Sequence, residues 1–228
     1  MMSYLEYGKI DEDAEKRLNQ LINNKSFRSY WRKKRAFDLV VCSVLLVICA
    51  VPMALVAAAI YIDDPHGSPF YKQIRIGRHG KEFYMYKFRT MYVDADKRRE
   101  ELMDQNEMDG PVFKIKDDPR ITRLGKYLRK LSVDELPQLF NVLSGSMSLV
   151  GPRPPLPGEV EDYTDYHKLR LIVTPGITCD GQIADNRNDI PFDKWVEMDL
   201  NYIENRTAWG DLKIIFKTPF AMLSATGR

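Results

Sequence analysis

The chain divides by its hydrophobic and polar positions into three unequal stretches. Residues 1–32 are mostly polar, with Leu18, Leu21 and Ile22 at helical spacing, which predicts one weak helix. From Leu39 to Ile62 there follow 24 residues without a charge, beyond the roughly 18 apolar residues at which a membrane helix becomes the default reading. Past that run, charged and apolar residues interleave. PFYKQIRIG and KEFYMYKFRTM, joined around Gly77–Gly80, read as the two strands of a small β-hairpin. A solvent-facing helix is expected over 94–108, and Asp118-Pro119 reads as a turn entering a helix near Ile121. That helix carries Leu124, Tyr127, Leu128 and Leu131 on one face, with Arg123, Lys126, Arg129 and Lys130 around the rest. A basic amphipathic helix of this type either lies in a headgroup layer or packs on the core. Further helices are expected at 158–172, 192–205 and 209–224. The fold class is α+β, mainly helical, in three parts: a polar extension (1–32), a membrane helix (33–62) and a cytoplasmic domain (63–228).

The flanks of the apolar run bear on its topology. Lys33, Lys34 and Arg35 precede it, and Lys72, Arg75, Arg78, Lys81, Lys87 and Arg89 follow it. Basic residues mark a cytoplasmic side, and a single straight span cannot put both ends there. A helix that enters, bends at Pro52 and returns can, because proline removes one helical N–H and kinks the axis. The expectation is a re-entrant membrane helix kinked at Pro52, with Tyr30 and Trp31 at the interface. A buried core helix is the alternative.

Composition narrows the classes. A formal charge of +2 on 228 residues supplies no global field for nucleic acid. Cys42, Cys49 and Cys179 form no pairing framework, and His66, His79 and His167 lack zinc-ligand spacing. GxxxxGK(S/T), GxGxxG and GxSxG are absent, which removes the main sequence support for a P-loop NTPase, a dinucleotide-binding dehydrogenase and an α/β-hydrolase.

The chemistry concentrates in SVDELPQLFNVLSGSMSLVGPRPP, Ser132 to Pro155. Asp134 and Glu135 form an adjacent carboxylate pair at an expected helix start. Ser132 with Glu135 also fits a capping box, with Asp134 favouring the helix dipole. The same N-terminus presents N–H groups to a phosphate and should keep Asp134 ionised, as a nucleophile requires. Arg153, held between prolines, suits bidentate phosphate contact. Lys87 and Arg89, two apart on a strand, share a face that binds anions or is simply solvated.

KFRTM, DPRIT, DELPQL, SLVGPRP and PGIT occur in that order between Lys87 and Thr178. In these motifs the chain resembles the monotopic phosphoglycosyl transferases, bacterial sugar transferases that start polysaccharide and glycoconjugate assembly. The resemblance covers roughly Lys33 to Thr218, and the chain looks like a minimal catalytic unit. It implies transfer of a sugar-1-phosphate from a UDP-sugar to a polyprenyl phosphate, with release of UMP. It also implies a re-entrant helix at the cytoplasmic face of the bacterial inner membrane. Asp134 would attack the β-phosphorus to give a covalent phosphosugar intermediate. Glu135 would hold Mg²⁺, and Lys87, Arg89, Arg153 and Arg187 would bind phosphate. Asp211 fits an acidic position near the final helix, or a first-turn carboxylate. The implied partners are the UDP-sugar, the polyprenyl phosphate and inner-membrane lipid; a homodimer is compatible. UDP-glucose or UDP-galactose is the expected donor. One departure concerns the loop after PGIT, where Cys179 and Asp180 replace the family's usual Gly-Trp while Gln182 keeps its place. Two other readings stay open: a Mg²⁺-dependent hydrolase of nucleotide-diphosphate sugars, and a catalytically silent membrane tether.

Overall fold

The computed structural model describes residues 11–23, 25–95, 97–98, 118–184 and 190–224. The expected helix over 94–108 therefore falls almost wholly outside the described residues. Helix α1, Glu12–Asn23, forms where the weak stripe predicted it and buries Ala14, Leu18 and Leu21. Its Arg17 pairs with Glu204 at 2.7 Å, so the polar extension is tied to the domain. Helix α2 then runs from Lys25 to Asp63 with Pro52 inside it.

One side of α2 is sealed along nearly its whole length. Lys34, Asp38, Cys42, Met53 and Ile60 are buried, with Leu45, Leu46, Cys49, Val56 and Ala57 half-buried beside them. The other side is open: Val47 is 78% exposed, Val51 68% and Leu55 66%. Only 11% of the most apolar window of this helix is buried. That is the wrong distribution for a core helix, and among the described residues this is the one helix long and apolar enough to cross a membrane.

The hairpin forms as the alternation predicts. Strands β1, Phe70–Ile76, and β2, Glu82–Phe88, pair antiparallel with Tyr71 opposite Lys87 and Arg75 opposite Phe83. A 3₁₀ turn at Arg78–Gly80 joins them. Helix α3, Arg123–Lys130, is capped by the Thr122 hydroxyl, which accepts from the Gly125 amide at 2.9 Å. Helix α4, Gln138–Ser144, ends at Gly145 with φ +89°.

A second, parallel sheet was not foreseen. Strand β3, Ser148–Val150, pairs with β4, Gly176–Thr178. Three residues are too few for a period of two to register. The expected helix over 158–172 is broken into α5, Pro157–Glu161, α6, Asp165–Lys168, and a 3₁₀ turn at Leu169–Ile172. Thr164 takes an extended conformation and caps a fresh start, its hydroxyl accepting from the His167 amide. The short helix α7, Asp180–Ile183, follows β4. Helices α8, Phe192–Asn205, and α9, Ala208–Ser224, agree with expectation. The main core gathers Leu18, Leu21, Val142, Val150, Val196, Leu200 and Ile203. A smaller cluster sets Met53 and Ile60 of α2 against Phe88 and Leu128.

Candidate active site

The dyad is presented differently from the expected helix start. Ser132 adopts a left-handed conformation, φ +51°, and its side chain caps nothing. Asp134 and Glu135 sit on a 3₁₀ turn, Val133–Glu135, and α4 begins only after Pro137. The capping box is therefore not formed. The Glu135 carboxylate accepts from Lys87 Nζ at 2.8 Å instead of turning back to the Ser132 amide.

Lys87 is delivered by β2, which Asn141 of α4 pins in place. Its Oδ1 accepts from the Tyr86 amide at 2.9 Å and its Nδ2 donates to the Tyr84 carbonyl at 2.7 Å. Because directly paired residues share a face, Arg75 lies on the same side of the hairpin as Lys87. Arg75 is buried, with Nη1 donating to the Pro154 carbonyl at 3.0 Å and Nη2 to Gln73 at 2.8 Å. It therefore braces the segment that carries Arg153. That segment turns at Gly151, whose amide donates to the Thr178 carbonyl at 3.0 Å, while the Gly176 amide donates to Pro152 at 2.9 Å. The two backbones run so close that a Cβ at Gly176 would meet the Gly151 nitrogen at 2.1 Å.

Together these pieces line a narrow cleft, walled by Arg75, Lys87, Glu135, Gln138, Arg153 and Gln182 among others. Gln182 arrives on α7, and its Oε1 is buried without a hydrogen-bond partner. The Cys179–Asp180 departure thus begins the short helix that brings this amide to the cleft.

The two carboxyls are tuned in opposite directions. Burial alone would raise Glu135, but Lys87, Arg153 and Arg75 outweigh it and hold the group below the usual carboxylate range. Burial pushes Asp134 up to about 6; Lys87 and Arg129 offset this in part, while the Glu135 charge adds to the rise. The expectation that a helix terminus would simply favour the ionised form is corrected, because burial dominates. No side chain among the described residues hydrogen-bonds the Asp134 carboxylate, whereas Glu135 is occupied by Lys87. Burial lowers Arg75 to about 10, with the Arg153 charge adding to the fall, so it stays cationic at neutral pH.

Other sequence-singled residues lie elsewhere. Arg89 follows the end of β2 and folds back to α2: it pairs with Asp64 and also donates to the Asp64 and Gly67 carbonyls. It is not part of the cleft. Asp211 is fully buried in the first turn of α9 and binds Lys34 at 2.7 Å, the Tyr30 hydroxyl at 2.7 Å and the Tyr202 hydroxyl at 2.9 Å. Lys34 also pairs with Asp38 at 2.7 Å, and Asp38 accepts from the Ser148 hydroxyl at 2.7 Å. Asp211 thus belongs to a buried network that docks the start of α2. Arg187 lies outside the described residues. Arg75 is the site residue that sequence reasoning missed; it was counted only as a flanking charge.

No group of three or more His, Cys, Asp and Glu residues converges to hold a metal among the described residues. The hard oxygen donors in the cleft lining include Glu135, Gln138 and Gln182, whose Oε1 is unpartnered, with Asp134 next to Glu135 in the chain. Such a set suits Mg²⁺, which takes one or two carboxylates and completes its shell with substrate phosphate oxygens and water.

A carboxylate without a side-chain partner, a second carboxylate held ionised, and three cations form a site whose chemistry suits phosphate-bearing ligands. The comparisons are more specific. Residues 29–225 match the family described as Bacterial sugar transferase, and the chain belongs to that family. It is 44% identical over 194 residues to "Galactosyl transferase CpsE" of Streptococcus agalactiae, covering 85% of this chain and 43% of that protein. It is 41% identical over 214 residues to "Undecaprenyl-phosphate galactose phosphotransferase" of Salmonella typhimurium, 92% of this chain and 44% of that one. "Exopolysaccharide production protein ExoY" of Rhizobium meliloti is 40% identical over 198 residues, 85% of this chain and 87% of that protein. The chain thus spans less than half the length of the first two relatives and most of the third.

Proposed function

We propose that the protein is a phosphoglycosyl transferase that moves a sugar-1-phosphate from a UDP-sugar to a polyprenyl phosphate at the cytoplasmic face of the bacterial inner membrane. The observation that carries this reading is the division within the dyad: Glu135 is held ionised by cations, while Asp134 stands beside them without a side-chain partner. With a pKa of about 6, Asp134 is ionised at pH 7 by about ten to one. Its Oδ attacks the β-phosphorus of the donor, and the bond from that phosphorus to the oxygen of the α-phosphate breaks. UMP leaves and an aspartyl phosphosugar remains. An oxygen of polyprenyl phosphate then attacks the same phosphorus, the acyl–phosphate bond breaks, and the carboxylate is regenerated. Lys87, Arg75 and Arg153 neutralise the diphosphate as charge moves onto the leaving group. Glu135 would hold Mg²⁺ with donor oxygens, and the ion would supply further neutralisation of the diphosphate. The names of the relatives favour a galactose- or glucose-type donor.

The membrane helix fits this reading as a re-entrant element. Near its start, Arg35 donates to the Val142 and Leu143 carbonyls and Cys42 Sγ to Leu139. At its other end, Asp64 pairs with Arg89. Both ends thus grip one domain, which favours a helix that keeps both of them on one side of the bilayer, with Pro52 as its bend. Cysteines placed at each terminus, in a background lacking Cys42, Cys49 and Cys179, should both resist an impermeant thiol reagent outside intact spheroplasts. Labelling of a single end would overturn the re-entrant topology. For the activity, purified protein with a UDP-sugar and no acceptor should release UMP stoichiometrically with enzyme. Free sugar phosphate formed on every turnover would instead identify a hydrolase, and no product at all would leave a tether.

A further inference from the structure

Two uncharged amides line the cationic cleft, and the chemistry above uses neither of them. Gln138 stands in the first turn of α4, three residues beyond Glu135. It is 3% exposed and lines the cleft, and among the described residues its amide makes no hydrogen bond. Gln182 reaches the same cleft from α7, and its Oε1 is buried without a partner. The short helix holds that side chain in place. The Gln182 backbone N–H donates to the Cys179 carbonyl at 3.1 Å, and Gly181 lies so close to the Trp195 ring that a Cβ there would meet it at 2.7 Å. A buried acceptor with no donor is a cost to the folded chain, and native proteins leave few of them. A ligand that brings the missing donor removes this cost and gains affinity by it.

The direction of the reaction points to the ligand group. Glu135 lines the cleft with Lys87, Arg75 and Arg153, whereas Asp134 is not among the lining residues. In phosphoryl transfer the attacking and leaving oxygens stand roughly in line across the phosphorus. With Asp134 as nucleophile, the leaving α-phosphate lies on the far side of the β-phosphorus, and the nucleoside lies beyond it. The transferred sugar hangs off that line. The cations of the cleft therefore meet the diphosphate, and its uncharged amides meet the nucleoside that follows. Uridine carries the hydrogen-bond donors that Gln182 Oε1 lacks, an imide N–H and the ribose hydroxyls. A primary amide, with acceptor and donors side by side, also matches an imide N–H next to its carbonyl. The cleft is narrow and Oε1 is closed to solvent, so the nucleoside parts the walls as it enters.

We propose that Gln138 and Gln182 bind the nucleoside of the donor: Gln182 Oε1 accepts from a donor group of uridine, and the Gln138 amide bonds a second polar group of the same nucleoside. This rests on the transferase reading above and assigns the residues that hold its leaving group. Substrate and UMP product share the uridine, so the two amides contribute binding that is uniform along the reaction rather than confined to the transition state.

The test pairs calorimetric titration of UMP with steady-state kinetics, on the purified full chain in nanodiscs. Gln182→Met keeps the length of the side chain and removes the acceptor. It should raise the Kd for UMP and the KM for the UDP-sugar together, about ten- to a hundredfold, as loss of a partner for buried polar groups does. Its kcat should stay within about threefold of wild type, the signature of lost uniform binding. A thermal melt establishes that the variant is folded, and Gln138→Met, which should shift both constants the same way, carries the test if it is not. Wild type should also bind N3-methyl-UMP or 2′-deoxy-UMP more weakly than UMP, and the weaker analogue identifies the imide or the ribose as the partner of Gln182. Equal binding of all three nucleotides by wild type would overturn the assignment. So would a raised KM with an unchanged Kd for UMP, since the amide would then read the sugar. A raised Mg²⁺ requirement with an unchanged Kd for UMP would overturn it too, as the mark of a metal ligand. Loss of UMP binding in the variants of a protein whose wild type makes no lipid-linked sugar would overturn the transferase reading and leave the nucleoside assignment standing.

Discussion

Replacing Asp134 with Asn should make the protein harder to melt while removing its activity. Asp134 is 8% exposed and its carboxyl is raised from 3.8 to about 6, chiefly by burial. Below the unfolded pKa the group is protonated in both states and contributes nothing. Between the two values the unfolded chain ionises while the folded one holds its proton, so stability falls as pH rises. Above about 6 both states are ionised and the full cost of burying the charge is present. At about 1.4 kcal/mol per unit, the shift corresponds to about 3 kcal/mol at neutral pH, an upper bound because the site can relax around the charge. Asn keeps the size and removes the charge, so Asp134→Asn should gain about 1–3 kcal/mol at pH 7.5. For a chain of this size that is a rise in Tm of roughly 3–10 °C. The assay is a thermal melt of wild type and variant side by side in the same detergent at pH 7.5 and at pH 4. The gain should be present at the first pH and mostly lost at the second. A variant that melts below wild type at pH 7.5, or gains equally at both pH values, would refute the burial argument.

Glu135→Gln should behave in the opposite sense. The cations hold that carboxyl below its ordinary value, so its contribution to stability is present above the unfolded pKa, and the variant should melt lower at neutral pH and lose transfer. The acidic limb of the rate profile should fall near pH 6 as Asp134 takes its proton, read from initial rates between pH 5 and 8 at saturating substrates. Arg89→Met should destabilise by about 3 kcal/mol, because it strands the buried Asp64 carboxylate, yet leave the KM for the UDP-sugar unchanged in the folded fraction. Lys87→Met should instead raise that KM at least tenfold, through loss of a charge-assisted contact. Substrate titrations on the two variants separate a structural tie from a binding residue.

The parts of the fold that were legible in the sequence are those with a sustained period. The uncharged run from Leu39 to Ile62, the hairpin, and the helices over 192–205 and 209–224 each repeat a pattern long enough to register. Three-residue strands do not, and the β3–β4 pair was invisible although it forms the Gly151 turn under Arg153. Within the site, the DELPQL residues were legible as chemistry but not as geometry. Ser132 and Glu135 have capping-box spacing, yet the left-handed Ser132 and the Pro137 that precedes α4 make that box impossible. Arg75 could have been found, since hairpin register alone puts it on the Lys87 face. Arg89 has the same parity and still departs, because β2 ends at Phe88 and the buried Asp64 draws its guanidinium away. The role of Asp211 depends on Tyr30, Lys34 and Tyr202, three residues that only tertiary structure assembles.

The central claim is that Asp134 carries the phosphosugar between donor and acceptor. It is tested most directly by mass spectrometry of the enzyme after incubation with UDP-sugar alone, quenched and digested. The peptide containing Asp134 should gain the mass of one phosphosugar in wild type and none in Asp134→Asn, and the adduct should vanish when polyprenyl phosphate is added before the quench. An adduct on another residue, or full transfer with no adduct on any peptide, would contradict the account.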